Sequence, residues 1–462
     1  MTPAGPRAGG GGASGAAGGT PVLYETGGIT DSRRVAADLC ADLRGGELLD
    51  PAFEARAPRL DARDRRWTQE LVYGMLRRRA VIDAHLDARV RGGLARLDPD
   101  LIDLLRLGVY QLMYMGSVPA YAAIAQTVEL AKQRHGIGAS RLANAVLRRL
   151  ERERDALELP HPVDPVDALA LRYSHPRWLV ARWVARWGAS ETERLLAANN
   201  TEPRTVLRPY GIVREQLEAT LESAGIHVED APLVPDSIQL STHASLVELG
   251  AFRKGLFFVQ DPASTLAVRY ADIPPDSLVA DLCASPGGKT LELTRAARAV
   301  LAADRSATRM QRLMTNVRRV EARNVLALVA DARHPPFRQV DAVLVDAPCT
   351  GTGTFRRHPD ARWRLKVSDF AVLGALQRSI LRAAASIVRP GGLLVYSTCS
   401  LEPEENDAQI ESLLAENAEW RLEPPATGAV PAEVLDAGRL RILPHRHGVD
   451  GAFAARLRRV GG

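Results

Sequence analysis

Apolar residues recur at helical spacing along the first third of the chain. Leu101, Leu104, Leu105 and Val109 fall on one face at steps of three and four, as do Leu142, Val146, Leu147 and Leu150. No strand-like alternation interrupts residues 30–160, so the pattern predicts helix after helix. The stretch LGVYQLMYMGSVPAYAAIA (107–125) carries no charge over nineteen positions and nominally reaches membrane-span length. Gln111, Ser117 and Pro119 interrupt it, and Asp103 and Arg106 precede it. Two buried helices joined at Gly-Ser-Val-Pro are the expectation, with no membrane partner. Arg141 and Arg148 share a face of the last helix, with Arg149 beside them. A solvated face is the plainer reading and an RNA-phosphate stripe the sharper one.

The Pro-rich stretch ELPHPVDPVD (158–167) marks a boundary. Residues 168–200 predict helix, with Trp178, Trp183 and Trp187 as core anchors. A small mixed segment follows: strand-like 205–209, a helix around 213–224, then strand-like 237–240 and 256–259. From 275 the pattern changes to short apolar runs at 278–284, 299–303, 325–330, 342–346 and 392–397. The helix-like stretches between them include Met310, Leu313, Val317 and Val320 on one face. Such alternation predicts a largely parallel sheet covered by helices on both sides, with ligands bound at the carboxyl ends of its strands. The fold class expected is therefore multidomain: an all-α domain over 29–160, a helical linker with a small α/β module over 161–262, and a Rossmann-like α/β domain over 263–462.

Composition adds limits. The chain of 462 residues has 60 Lys+Arg against 55 Asp+Glu, a net charge of +5 that permits a nucleic-acid partner without demanding one. Hydrophobic residues at 46% and charged residues at 25% exclude a mainly disordered or fibrous chain. Residues 1–20 hold eight Gly and five Ala, so 1–28 reads as a disordered tail and not a signal peptide. Four cysteines without close spacing exclude a disulfide framework and a zinc knuckle, which points to a reducing, cytoplasmic setting and no metal. A monomer is expected. Only four of the basic residues are Lys (132, 254, 289 and 366), and Lys289 lies in the most informative motif.

That motif, DLCASPGGKT (281–290), follows the first strand of the last domain. Glycines there let the backbone approach a ligand and aim free N–H groups at it. It ends like a phosphate-binding P-loop, but that motif needs Gly where Cys283 stands. G-x-G-x-x-G is absent too. The second strand ends at Asp304, whose carboxylate could accept from both hydroxyls of a ribose, and the third at Asp331, placed for an adenine amino group. One such Asp is usually a helix cap. Three at successive strand ends around one Gly-rich loop describe a pocket for S-adenosyl-L-methionine, an adenosine ligand without phosphates.

The fourth strand ends in Asp346-Ala-Pro-Cys349 and the fifth in Ser397-Thr-Cys399-Ser400. Buried structural Cys is the ordinary reading of either cysteine alone. A pair at adjacent strand tips, flanked by Pro, Gly and Thr, reads as reactive. C5 of a pyrimidine is a poor nucleophile, but a thiolate adding at C6 turns the ring into an enamine and activates C5. Such a thiolate needs a cationic neighbour or a helix N-terminus. Asp346 could meet the N3/N4 edge of a cytosine taken out of its stack.

DLCASPGGKT (281–290), DAPCTGTG (346–353), RRHPD (356–360) and STCS (397–400), in this order, resemble the RsmB/Sun family of bacterial 16S ribosomal RNA cytosine-C5 methyltransferases. VYGMLRR (72–78) and ANAVLRR (143–149) are similar to the family's NusB-like RNA-binding domain, and pieces such as SHPRWLVARW (174–183) and DGAFAARLRR (450–459) extend the likeness over roughly 30–460. Ser285 and Thr350 replace the commoner Ala and Ser. The resemblance implies that Cys399 is the nucleophile, that Cys349 helps release the product, and that Asp346 lies at the catalytic edge. It also implies a cofactor loop of Cys283, Ala284, Ser285, Pro286, Gly287, Gly288 and Lys289, with Asp304 at the ribose and Asp331 on the adenine side. Arg356, Arg357 and His358 are expected at RNA phosphates. Cys40, His445 and His447 are expected to be structural. The substrate implied is 16S rRNA, naked or in an early assembly intermediate. The same chemistry on tRNA or another RNA, and a non-catalytic NusB-like antitermination module, are the alternatives.

Overall fold

A computed structural model describes residues 28–242 and 245–461. The tail expected over 1–28 lies, but for Gly28, outside them. Among the described residues the N-terminal domain is built from the helices Asp31–Arg44, Leu49–Arg56, Ala62–Arg77, Arg79–Asp87, Pro99–Tyr114 and Ala120–Glu153, the last being two helices joined at a kink where Gly136 has φ +83°. Asp61 and Asp98 start two of them by accepting the backbone N–H of Asp64 (2.7 Å) and Asp100 (2.8 Å). The uncharged stretch 107–125 belongs to two helices broken at 115–119, as its Gly-Ser-Val-Pro predicts. Their apolar faces, with Leu39, Leu71, Ile82, Leu105 and Leu147, make one core that also encloses Cys40.

The helices Pro165–Arg172, Arg177–Trp187 and Ala189–Asn199 follow. Of the three tryptophans only Trp183 is fully buried, and its Nε1 donates to Glu402 Oε1 at 2.9 Å, which anchors this segment to the last domain. The small module is an antiparallel sheet of β1 (Val206–Pro209), β2 (Val228–Asp230), β3 (Ile238–Leu240) and β4 (Phe257–Val259), in the order β2-β3-β1-β4. Strand β2, VED, has no apolar run to announce it. Arg208 of β1 joins the module to the last domain through Glu292, with two N···O contacts of 3.0 and 2.7 Å, both side chains being 4% exposed.

The last domain holds β5 (Leu278–Asp281), β6 (Ala299–Asp304), β7 (Val325–Val329), β8 (Val340–Asp346), β9 (Val388–Thr398), β10 (Trp420–Leu422), β11 (Leu435–Asp436), β12 (Arg439–Ile442) and β13 (Ala452–Arg459). The sheet order is β11-β12-β13-β9-β8-β5-β6-β7, and β10 pairs with β13. Strands β5 to β9 are mutually parallel, and β13 runs antiparallel to β9. The apolar runs of β5 and β8 are buried almost throughout, as parallel strands covered on both faces require. From β5 the chain steps outward to β6 and β7, then returns to lay β8 and β9 on the other side. A crevice therefore opens between β5 and β8 at their carboxyl ends.

Three expectations change. The third strand ends at Val329, so Asp331 stands two residues beyond it. The fifth strand begins at Val388, earlier than 392. Strands β10 to β13 escape the apolar pattern because β12 (RLRI) and β13 (AFAARLRR) alternate with arginine. One described helix, Val367–Ile387, is long and apolar enough to cross a membrane, and it buries Phe370, Gln377, Ile380, Leu381 and Ala384 against the protein.

Glu292→Ala would leave the Arg208 guanidinium buried with Asp236 as its one remaining carboxylate. The expected loss is about 3 kcal/mol. Chemical denaturation should show a lower midpoint, and an unchanged midpoint would mean that this ion pair does not join the two units.

Candidate active site

A cavity of about 850 Å³ occupies the crevice at the ends of β5 to β9. On its cofactor side, β5 runs into the loop Leu282–Gly287 and the short helix Gly288–Leu293. Gly287 turns the chain with φ +109°, which a side chain disfavours, and a Cβ there would meet Leu313 Cγ at 3.1 Å. Thr290 Oγ1 donates to Asp281 Oδ2 at 2.7 Å, while Asp281 Oδ1 is buried without a partner. Burial pushes Asp281 up to about 7, against the Thr290 hydrogen bond and with the help of the Asp346 charge.

Asp304 closes β6 and is 3% exposed. Its Oδ1 accepts from Ser306 N at 2.9 Å, and its Oδ2 stands 3.6 Å from Arg309 Nη2. Arg309 also donates to the Ser285 carbonyl at 2.5 Å, which ties the loop after β5 to the end of β6. Asp331 lies on the same wall, held near 2 by the hydrogen bonds of Arg333, whose Nη2 is 2.6 Å away. The Gly-rich loop offers backbone and no free cation, because Lys289 leaves it to donate to Asp346 Oδ2 at 2.8 Å. Carboxylates at the strand ends suit the hydroxyls and amine of an adenosine. The residues present fit S-adenosyl-L-methionine.

Across the cavity, the loops after β8 and β9 bring Cys349 Sγ within 3.3 Å of Cys399 Sγ as free thiols. Gly353 stitches these loops together. Its N–H donates to the Cys399 carbonyl at 2.9 Å, and a Cβ there would lie 2.7 Å from that oxygen. The hydrogen bond from Cys349 lowers the Cys399 thiol below its ordinary value, against burial and the Asp346 charge, with Lys289 and His358 adding to the fall. That bond, then burial and the charges of Cys399 and Glu405, push Cys349 well up. Cys283 is also pushed up, chiefly by burial. Of these three thiols only Cys399 is shifted toward the thiolate. The Lys289 ammonium is held above its ordinary value because the Asp346 carboxylate outweighs the effect of burial.

Of the RRHPD arginines, Arg356 differs from expectation. Arg356 is buried, with Nε 2.5 Å from Asp450 Oδ1, Nη2 3.0 Å from Asp261 Oδ2 and Nη1 2.9 Å from the Gly448 carbonyl. Arg357 reaches the same two carboxylates at 2.5 Å each. This cluster fixes the loop after Cys349, and a guanidinium so engaged and buried is scaffold, so Arg356 does not present itself to RNA phosphate. Arg357 and His358 line the cavity. His358 Nδ1 is 2.9 Å from Asp50 Oδ2 of the helical domain, and Tyr73 donates to the other Asp50 oxygen. Burial alone would lower the His358 pKa, but Asp50 holds it above its ordinary value. Of the helical-domain arginines, Arg148 and Arg149 pair with Glu151 (3.0 Å) and Glu153 (2.8 Å), while Arg141 is exposed. His445 is half-buried against Glu191 at 2.6 Å, and His447 Nδ1 accepts from Leu443 N at 2.9 Å.

Sequence reading missed the carboxylates that organise the site. Asp50 and Asp261 are distant from the catalytic motifs in sequence, and Asp450 opens DGAFAARLRR (450–459) with nothing there to mark it as an arginine partner. Glu405 is only six residues past Cys399, but EPEEN reads as a solvated turn. In the fold Glu405 is fully buried and accepts from Thr350 N at 2.9 Å.

An open parallel sheet with an acid-lined crevice beside its Gly-rich loop, extended by an antiparallel strand, is the architecture of a nucleoside-cofactor methyltransferase. The helical and small α/β domains narrow that class. Residues 270–458 match the family of 16S rRNA methyltransferases RsmB/F, residues 30–152 the NusB family, and residues 175–246 the ferredoxin-like domain of RsmF/B-like methyltransferases. The chain is 35% identical over 421 residues to ribosomal RNA small subunit methyltransferase B of Vibrio cholerae, covering 89% of this chain and 93% of that one. It is 34% identical over 409 residues to a probable ribosomal RNA small subunit methyltransferase B of Synechocystis, covering 86% and 92%. The crystal structure of PH0851 superposes with a TM-score of 0.77 at 28% identity, covering 93% of this chain and 99% of that one. This chain belongs to the RsmB/F family.

Asp281 gives a stability test with a definite sign. Between its ordinary value of 3.8 and about 7 the folded state keeps a proton that the unfolded chain releases, so this group's contribution to stability falls as pH rises through that window. Asp281→Asn removes the titration. Its stability relative to wild type should rise with pH across the window, on the order of 1 kcal/mol per pH unit. Thermal melts at several pH values would show it, and a pH-independent difference would mean that Asp281 stays charged throughout.

Proposed function

We propose that the chain methylates C5 of a cytosine in small-subunit ribosomal RNA, through a covalent bond between Cys399 and C6. The observation that carries this reading is the cysteine pair, 3.3 Å apart, in the cavity that the Gly-rich loop, Asp304 and Asp331 also line. The family and the names of its members support RNA of the small subunit, and a cytoplasmic setting follows from that substrate.

Asp304, Asp331 and the loop Cys283–Gly288 would hold S-adenosyl-L-methionine, which supplies an electrophilic methyl group when bound. The target cytosine leaves its stack to enter the cavity. The Cys399 sulfur forms a bond to C6, and the C5=C6 electron pair moves into the ring, leaving C5 nucleophilic. Asp346, held by Lys289 at 2.8 Å, meets the N3/N4 edge where charge develops. After methylation a base in the cavity takes the C5 proton, the C5–H electron pair re-forms the C5=C6 bond, and the C6–Sγ pair leaves with the Cys399 sulfur. Cys349 can donate a hydrogen bond to the departing sulfur and stabilise it as a thiolate.

Purified protein should transfer labelled methyl groups to unmethylated small-subunit rRNA and not to tRNA or DNA, and Cys399→Ala should lower the rate by at least about 10³-fold. Cys349→Ala should accumulate an RNA–protein complex that survives denaturing electrophoresis. Full activity in Cys399→Ala would remove the nucleophile assignment, and absence of a stable complex in Cys349→Ala would remove the release role.

A further inference from the structure

The two cysteines are chemically identical, stand at equivalent strand tips and share one cavity, so their surroundings must decide which carries the charge. Those surroundings are lopsided. Lys289, and His358 when protonated by its pairing with Asp50, act on Cys399 together with the opposing Asp346 carboxylate. On the Cys349 side the charged group is Glu405, with Tyr396 also close.

Glu405 is built into that position. It is fully buried, and its two oxygens grip the residue after Cys349: Oε1 accepts from Thr350 N at 2.9 Å and Oε2 from the Thr350 hydroxyl. Gln377, also fully buried, donates from Nε2 to Glu405 Oε1 at 3.0 Å and to the Pro348 carbonyl at 2.9 Å, closing the clamp from the other side. The Thr350 hydroxyl lies 3.3 Å from Ser400 Oγ, so the clamp also touches the loop of Cys399. A buried carboxylate is costly. Neutral hydrogen bonds alone would hold this loop, as a glutamine could.

We propose that Glu405 is a positioning residue whose charge keeps the proton shared by the two sulfurs on Cys349, leaving Cys399 as the thiolate. A negative charge beside Cys349 makes a second negative charge there unfavourable, while Lys289 and His358 accept one at Cys399. Replacing the charge by a neutral isostere keeps the clamp and removes the bias.

The inference rests on the two-cysteine chemistry proposed above, but its test needs no RNA. The full chain is alkylated with iodoacetamide between about pH 6 and pH 9, where thiolates form. The peptides carrying Cys349 and Cys399 are then quantified by mass spectrometry, with circular dichroism as the check on folding. Wild type should label Cys399 first. Glu405→Gln should raise the ratio of Cys349 to Cys399 labelling by about tenfold, the equivalent of one pKa unit. Glu405→Asp, which keeps the charge, should stay near the wild-type ratio. A folded Glu405→Gln chain with the wild-type ratio overturns the proposal. Should that variant not fold, Cys399→Ser decides: Cys349 should still resist labelling, and a midpoint at the ordinary thiol value of about 8.5 overturns the proposal. A chain that shows the ratio shift yet methylates no RNA supports this inference and refutes the proposed function.

Discussion

Two sulfurs 3.3 Å apart hold one negative charge between them far more easily than two, and the catalytic domain is arranged around that constraint. Lys289 and His358 favour the charge on Cys399. Burial disfavours it on either sulfur, and Glu405 opposes it at Cys349. The ordering of the pair depends on loops that are themselves held by buried polar contacts: Gly353 against the Cys399 carbonyl, Thr350 against Glu405, and Arg356 and Arg357 against Asp261 and Asp450. The loop after β5 lines the same cavity, and the Lys289–Asp346 pair ties that loop to the end of β8.

The helical domain reaches this site directly. Arg77 donates to the Arg356 carbonyl at 2.9 Å, Trp363 donates to the Leu76 carbonyl at 2.9 Å, and Asp50 pairs with His358. The guanidinium of Arg79 sits 5.1 Å from the centre of the Trp363 ring. Contacts of this kind make the domain part of the cavity's support, beyond any surface that it offers to RNA. The position of the RRHPD segment therefore depends on both domains at once.

The parallel strands, the loop after each and the residues Asp281, Asp304, Asp346, Cys349 and Cys399 were legible because buried strands and their ends are local patterns. So was the helical domain, whose apolar spacing survives in nearly every helix. What escaped depends on long-range pairing. An arginine reads as a phosphate ligand until a carboxylate ninety residues away claims it, as Asp261 and Asp450 do with the buried Arg356. Glu405 looks solvated until the Val367–Ile387 helix lays Gln377 over it. Strand β13 looks too basic to be central, but its arginines find Glu423 and backbone carbonyls at its edge.

The most direct measurement uses small-subunit rRNA in which cytidine is replaced by 5-fluorocytidine. Fluorine cannot leave C5 as a proton does, so the C6–Sγ bond persists after methylation. The full chain, incubated with this RNA and S-adenosyl-L-methionine and then digested, should yield a Cys399 peptide bearing a methylated fluorocytidine remnant. A remnant on Cys349, or no covalent product at all, would contradict the account.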